Sequence, residues 1–190
     1  MKQPPVSEAQ LQEMLAALET RRQAFSMIVQ MYSQKIYWQL RRMVYSHEDA
    51  NDLVQNTFIK AWEAIEGFRG DAKVSTWLYR IAHYEALNFL KRQKREGECF
   101  VDLSDEEQAQ FLLARLEADP YFDGDEYEKA FQKALISLPE KQQLVFRLRY
   151  YDEMPYEEIA RITGTSQGAL KASYHHASRK IAEMLSREDL

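Results

Sequence analysis

The chain holds a single cysteine among 190 residues, with only six glycines and five prolines. One thiol, Cys99, forms neither an internal disulfide nor a zinc knuckle. Few glycines and prolines mean few breaks, and no stretch alternates polar and apolar residues as a half-buried strand would, so an all-α fold is expected. No run approaches the ~20 consecutive apolar residues that span a bilayer, which argues against direct membrane insertion. The opening MKQPPVSEAQLQEM lacks the charged-then-apolar layout of a secretory leader. There is no phosphate-cradling GxxxxGK[ST], no nucleophile elbow and no carboxylate–histidine constellation, so the expectation is a protein that is not an enzyme and takes no cofactor. These absences fit a cytoplasmic chain without structural metal.

What is present is a soluble composition, 45% apolar and 29% charged, in a length that allows one compact domain or two small ones. The net charge of −5 is unevenly spread. Residues 1–95 carry 14 Lys/Arg against 10 Asp/Glu, residues 96–130 carry 2 against 12, and residues 131–190 carry 9 against 8. All the excess acid sits in the middle, so an acidic total does not argue against nucleic-acid binding by either end.

In chain order, residues 7–19 form a short predicted helix with Ser7 as N-cap and Leu11, Leu15 and Leu18 on one face. Residues 22–45 carry Phe25, Ile28, Tyr32, Ile36, Leu40 and Val44 at helical spacing, a core stripe. A helix from about 48 to 66 turns Ala50, Leu53, Val54, Thr57, Phe58, Ala61 and Ile65 inward. Opposite lie Asp52, Gln55, Asn56, Ile59 and Glu63, where two amides and an isoleucine interrupt what is normally a charged face. Periodicity leaves two readings open: a docking surface, or an ordinary surface with one stray isoleucine.

Gly67 and Gly70 bracket a loop, and Ser75 is the expected N-cap of a helix from Thr76 to about Arg95. That helix interleaves Trp77, Tyr79, Tyr84 and Phe89 with Arg80, Lys91 and Arg92. Flat π-faces beside cations suit unpaired bases, each stacked base contributing ~1–3 kcal/mol. Leu78, Ile81 and Phe89 are assigned to the core instead, and Tyr84 with the terminal basic cluster to nucleic acid. Residues 96–126 are strongly acidic, with Ser104 and Glu107 as a capping box for a helix near 105–118. Two roles stay open for them, a solvated tether and an acidic segment threading a partner's basic channel.

From Glu126 the helical period resumes, and Pro139 opens PEKQQLVFRLRYY. Tyr156 to Ile162, a turn at Gly164 and a longer helix capped by Ser166 form a helix-turn-helix layout. Leu170, Tyr174, Ala177 and Ile181 face inward, leaving Lys171, Ala172, His175 and His176 outward for base edges and phosphates. Adjacent helical residues diverge by about 100°, so the His175–His176 pair is not expected to hold a metal.

These stretches resemble the bacterial RNA polymerase sigma factors, specifically the extracytoplasmic-function (ECF) group of the sigma-70 superfamily. The resemblance rests on DLVQNTFIKAW (52–62), FRGDAKVSTWLYRIA (68–82), NFLKRQKR (88–95) and LPEKQQLVFRLRYYDEMPYEEIARITGTSQGALKASYHHASRKI (138–181). It implies two small helical domains: a region 2 bundle over 20–95 and a region 4 helix-turn-helix over 127–190, joined by the acidic linker 96–126. It further implies that Asp52, Gln55, Asn56 and Ile59 contact the clamp helices of the polymerase core's largest subunit, while region 4 meets its flap. Phe68, Arg69, Lys73, Ser75, Trp77, Arg80, His83, Tyr84, Asn88, Lys91 and Arg92 fall where the family engages the opened −10 strand. Ser166, Gln167, Lys171, Ser173, His175, His176 and Arg179 fall where it reads the −35 element of promoter DNA. An anti-sigma factor, typically membrane-anchored in this family, is an implied partner.

One departure stands out. Many relatives carry an arginine-rich recognition helix, whereas this one reads KASYHHAS, which predicts a shallower salt dependence. The competing reading is a dimeric helix-turn-helix repressor or activator, which explains residues 126–190 but leaves 52–62 without a role. As a free coil the linker spans only ~30 Å. Two turns of duplex require roughly 70 Å. The core enzyme is therefore expected to hold the two domains apart, and the isolated chain to bind promoters weakly.

Overall fold

The computed structural model describes residues 6–97, 105–120 and 124–187, with side chains omitted from the description at 94–97 and 105–108. Among the described residues it is all helix: α1 (Glu8–Ala16), α2 (Leu18–Val44), α3 (His47–Glu63), a 3-10 turn (Ile65–Gly67), α4 (Val74–Gly97), α5 (Asp105–Ala118), α6 (Glu126–Ile136), α7 (Glu140–Tyr150), α8 (Tyr156–Thr163) and α9 (Gln167–Leu185). The ends follow local chemistry. Ser7 and Gln10 close a reciprocal capping box on α1. Tyr45 ends α2 in the left-handed region at φ 51°, and Ser46 then accepts the Asp49 N–H to start α3. Gly164, at φ 68°, ends α8, and Ser166 caps α9 two residues later.

Two boundaries differ from expectation. Helix α2 begins at Leu18, because the chain pauses only at Ala17 in an extended conformation. Helix α4 begins at Val74, so Ser75 lies inside it rather than capping it. The reason is a partner from far away in the chain. The Val74 N–H donates to the Glu8 carboxylate of α1, and the Lys73 carbonyl accepts from Trp77 N–H at 3.0 Å. Ser104 and Cys99 lie outside the described residues.

Helix α2 forms the spine, packing against α1, α3 and α4. Ile28, Ile36, Leu40 and Val44 are sealed against Ala50, Leu53 and Ala61 of α3 and Leu78, Ala82 and Ala86 of α4. Val54, Ile81 and Phe89 are only partly buried at the margins. In the C-terminal half, Leu135, Leu138, Phe146, Ala177 and Ile181 form a second cluster.

The two halves are not held apart here. Ile136, Leu148, Met154, Ile159, Ile162 and Leu170 continue the N-terminal core, with α8 seated against α4. The described part of the acidic stretch is not a loose tether either. Leu112 and Leu116 of α5 are buried, and Arg115 donates to the Val44 carbonyl at 2.8 Å, to Gln93 at 2.6 Å and to Asp49. Asp119 pairs with Arg41 of α2. The excess acid thus meets cations of this chain as well as solvent.

Candidate nucleic-acid interface

Helix α3 buries Leu53, Thr57 and Ala61, which turns Asp52, Gln55, Asn56 and Ile59 outward, all exposed. Ile59 is 55% exposed, unusual for a large aliphatic side chain. Trp62, one turn on, is also exposed at its rim while its ring meets Phe25 at 5.0 Å. Sequence reasoning passed over Trp62, although its spacing from Ile59 places it on the same side.

Past the 3-10 turn, Phe68 leans on Trp77 with ring centroids 4.9 Å apart. The loop is braced by α1, where Gln12 donates to the Ala72 carbonyl at 3.3 Å. Gly67, Phe68, Arg69, Asp71, Ala72, Thr76, Trp77 and Arg80, together with Arg161 of α8, line a cleft of about 460 Å³. Along α4, Trp77, Arg80, Tyr84, Asn88 and Lys91 recur on one side. Tyr84 is 47% exposed with the Arg80 guanidinium 6.0 Å from its ring centre, and Asn88, Lys91 and Arg92 are exposed beyond it. An exposed ring flanked by cations is the surface that single-stranded nucleic acid uses.

Three residues of the expected −10 set sit otherwise. Ser75 is half-buried on the α2 side, where its side chain meets Tyr32. Lys73 pairs with the Glu158 carboxylate of α8, which also accepts from Thr76 Oγ1 at 3.1 Å. His83 is buried against the C-terminal half, 6% exposed. The resemblance places it with the residues facing the −10 strand, but α4 meets Leu144 and Arg147 of α7 there. Burial and the nearby Arg147 charge push its pKa down to about 4.

Arg147 itself donates to the Tyr45 hydroxyl at 3.1 Å, which donates on to Gln132 at 3.2 Å. Nearby, Arg42 lies 4.1 Å from the Tyr151 ring centre and 3.5 Å from Asp152. Burial raises the Asp152 pKa to about 6 despite that cation. None of Glu158, Arg161, Arg147 or Asp152 stood out in the sequence, since each becomes notable only through a partner in the other half.

The two buried groups pull in opposite directions with pH. His83, depressed in the fold, contributes stability present above its ordinary pKa and lost as pH falls toward 4. Asp152, raised in the fold, contributes stability present at low pH and lost as pH rises through 6. Each amounts to on the order of 3 kcal/mol, so they largely cancel between pH 6 and 4. Asp152→Asn removes one arm. Urea midpoints for the variant and the parent chain at pH 7 and pH 4 will show the difference moving by ~3 kcal/mol in the parent's favour on acidification. An unchanged difference would contradict the assignment of a raised pKa to Asp152.

On α9, Gln167, Lys171, His175, His176 and Arg179 are exposed, while Ser173 is half-buried and Ser166 is occupied in capping the helix. Tyr174 stacks on Phe146 at 5.5 Å, fixing the rotation of this helix on the body. The His175 and His176 rings lie 6.1 Å apart with their planes at 59°, and no metal-ligand cluster occurs among the described residues.

The Sigma-70 region 2 family matches residues 28–96, and the Sigma-70, region 4 family matches residues 128–181. The chain is 34% identical over 162 residues to the ECF RNA polymerase sigma-E factor of Escherichia coli, covering 83% of this chain and 84% of that protein. The chain belongs to the ECF sigma factors. The RNA polymerase sigma-H factor of Pseudomonas aeruginosa is 32% identical over 168 residues, 86% of this chain and 87% of its own. In fold, this sigma factor is similar to CnrH in complex with the cytosolic domain of CnrY (TM-score 0.67, 19% identity, 96% of this chain and 99% of that one). It is similar also to Bartonella quintana RpoE in complex with the anti-sigma factor NepR (TM-score 0.65, 22% identity, 87% and 98%). It is a transcription initiation factor, and the repressor reading is set aside because region 2 is matched along with region 4.

Proposed function

We propose that this sigma factor grips RNA polymerase and promoter DNA through three separate surfaces. Asp52, Gln55, Asn56 and Ile59 of α3 dock on the clamp helices of the largest subunit, and region 4 meets the flap. The cleft from Phe68 to Thr76 and the Trp77–Arg80–Tyr84–Asn88–Lys91–Arg92 side of α4 hold the unpaired −10 strand. Gln167, Lys171, His175, His176 and Arg179 of α9 read the −35 duplex. Ser166 positions that helix, and Ser173 serves only at its edge. Residues 20–95 and 127–190 act as the two modules, with 96–126 between them.

The observation that carries this reading is the exposed Arg80–Tyr84 pair beside the 460 Å³ cleft, on the same chain as a capped helix-turn-helix. A duplex-binding repressor has no use for a stacking face, whereas strand opening needs one to offset unstacking, a cost of a few kcal/mol per base. The chain works by binding, with catalysis left to the polymerase. Acting on promoter DNA together with RNA polymerase implies a cytoplasmic site of action; no helix among the described residues is long and apolar enough to cross a membrane. An anti-sigma partner follows from family membership, and the RpoE–NepR complex supports it.

Mapping transcript 5′ ends after overexpression tests the reading. New starts will share two upstream elements centred roughly two helical turns apart. Silenced transcripts around palindromic sites, without new starts, would overturn it.

A further inference from the structure

In the structure the two DNA readers are unequally available. The outward side of α9 is open, while α8 lies against the −10 side of region 2. Glu158, 9% exposed, reaches out of α8 to both Lys73 and Thr76. A cation and a hydroxyl side by side are what DNA phosphate oxygens take from a protein. Arg161, three residues along α8 and therefore on the same side, walls the cleft that Arg69, Trp77 and Arg80 line.

We infer that Glu158 is an internal phosphate surrogate: its carboxylate occupies the backbone-binding position at Lys73 and Thr76, so that region 4 masks the −10 reader until core polymerase parts the two modules. The inference rests on the proposed assignment of Lys73 and the adjoining cleft to the −10 strand.

Several contacts brace the mask away from the DNA surface. Arg147 bridges to Tyr45, which reaches Gln132, and Arg42 pairs with Asp152. His83 is buried where region 2 meets Arg147. The strap α5 ties Arg115 to Asp49 and meets α6. Masking therefore involves one competitive contact at Glu158 and a set of purely structural ones. A free sigma factor so arranged keeps its −35 reader available while its single-strand reader stays covered. Stray single strands are then poor competitors for core-bound promoters.

Opening a masked state raises apparent affinity by the factor by which the competent fraction rises. The test uses the full chain without polymerase, with anisotropy of a fluorescein-labelled mixed-sequence single strand as readout. Dyes at Gln30→Cys and Ala182→Cys in a Cys99→Ser background report the distance between modules. Glu158→Gln is nearly isosteric and is expected to tighten strand binding at least about fivefold and to lengthen the distance. The charge-swapped pair Lys73→Glu with Glu158→Lys is expected to restore the short distance that either single change lengthens, which a folding defect would not do. No tightening with Glu158→Gln, or a longer distance without tightening, would overturn the mask. The underlying site reading is tested separately: Lys73→Ala in reconstituted holoenzyme must weaken open promoter complexes. If it does while Glu158→Gln changes nothing, the mask fails and the −10 assignment stands. If it does not, the assignment itself fails.

Discussion

Ile59→Asp is expected to weaken binding of this sigma factor to core RNA polymerase by about 100-fold, with no loss of thermal stability. Ile59 is 55% exposed on α3, and its neighbours on that side, Asp52, Gln55 and Asn56, are exposed as well. An aliphatic side chain this exposed contributes little to the free fold, so its loss costs little there. At an interface, an apolar centre ringed by hydrogen-bonding groups is where truncation costs most, ~2–4 kcal/mol, and a charge forced into that pocket adds desolvation. Gln55→Ala, on the rim of the same patch, is expected to cost less, about tenfold. Titration of labelled core with each variant, alongside thermal melts, checks both. Unchanged affinity for Ile59→Asp would move the docking surface elsewhere.

The double change Arg80→Ala with Tyr84→Ala is expected to reduce open-complex formation by about 30- to 100-fold while leaving core binding intact. Tyr84 is nearly half exposed and Arg80 is exposed as well, hence neither holds the bundle together. A base stacked on the ring contributes ~1–3 kcal/mol, and the guanidinium beside it adds attraction for the phosphate. Permanganate footprinting of thymines in the opened −10 strand reads the effect directly. The same promoter supplied with a pre-melted bubble should recover part of the loss, because the unstacking cost has been met in advance. Full activity of the double variant on closed duplex would contradict the stacking role.

Much of the fold was legible because it is local. The Ile28–Ile36–Leu40–Val44 stripe needs only helical period to be placed inside, and Gly164 followed by Ser166 punctuates α8 and α9 without outside help. The Asp52–Gln55–Asn56–Ile59 side of α3 was ambiguous from period alone, and its docking role is a proposal that rests on the resemblance. What stayed hidden depends on contacts between distant residues. Glu8 supplies the cap that moves the start of α4 ahead of Ser75. Glu158 sits beside Ile159 on a short helix, where a wheel places it at an edge; Lys73, 85 residues away, makes it a buried partner. The resemblance groups His83 with Arg80 and Tyr84, yet Arg147 and the body of region 4 withdraw it from solvent. The helix near 105–118 was legible from its own residues, but the net acid of 96–130 gave no sign that Leu112 and Leu116 are buried and seat α5 on the body.

Run-off transcription from one start site found by 5′-end mapping tests the central claim most directly. Core polymerase alone, this sigma factor alone, and the two together are each given the same linear promoter fragment. The account predicts a discrete transcript only from the combination, lost when Ile59→Asp or the Arg80–Tyr84 double variant replaces the parent chain. No discrete transcript from the combination, or tight duplex binding by the chain alone that blocks transcription by another holoenzyme, would contradict it.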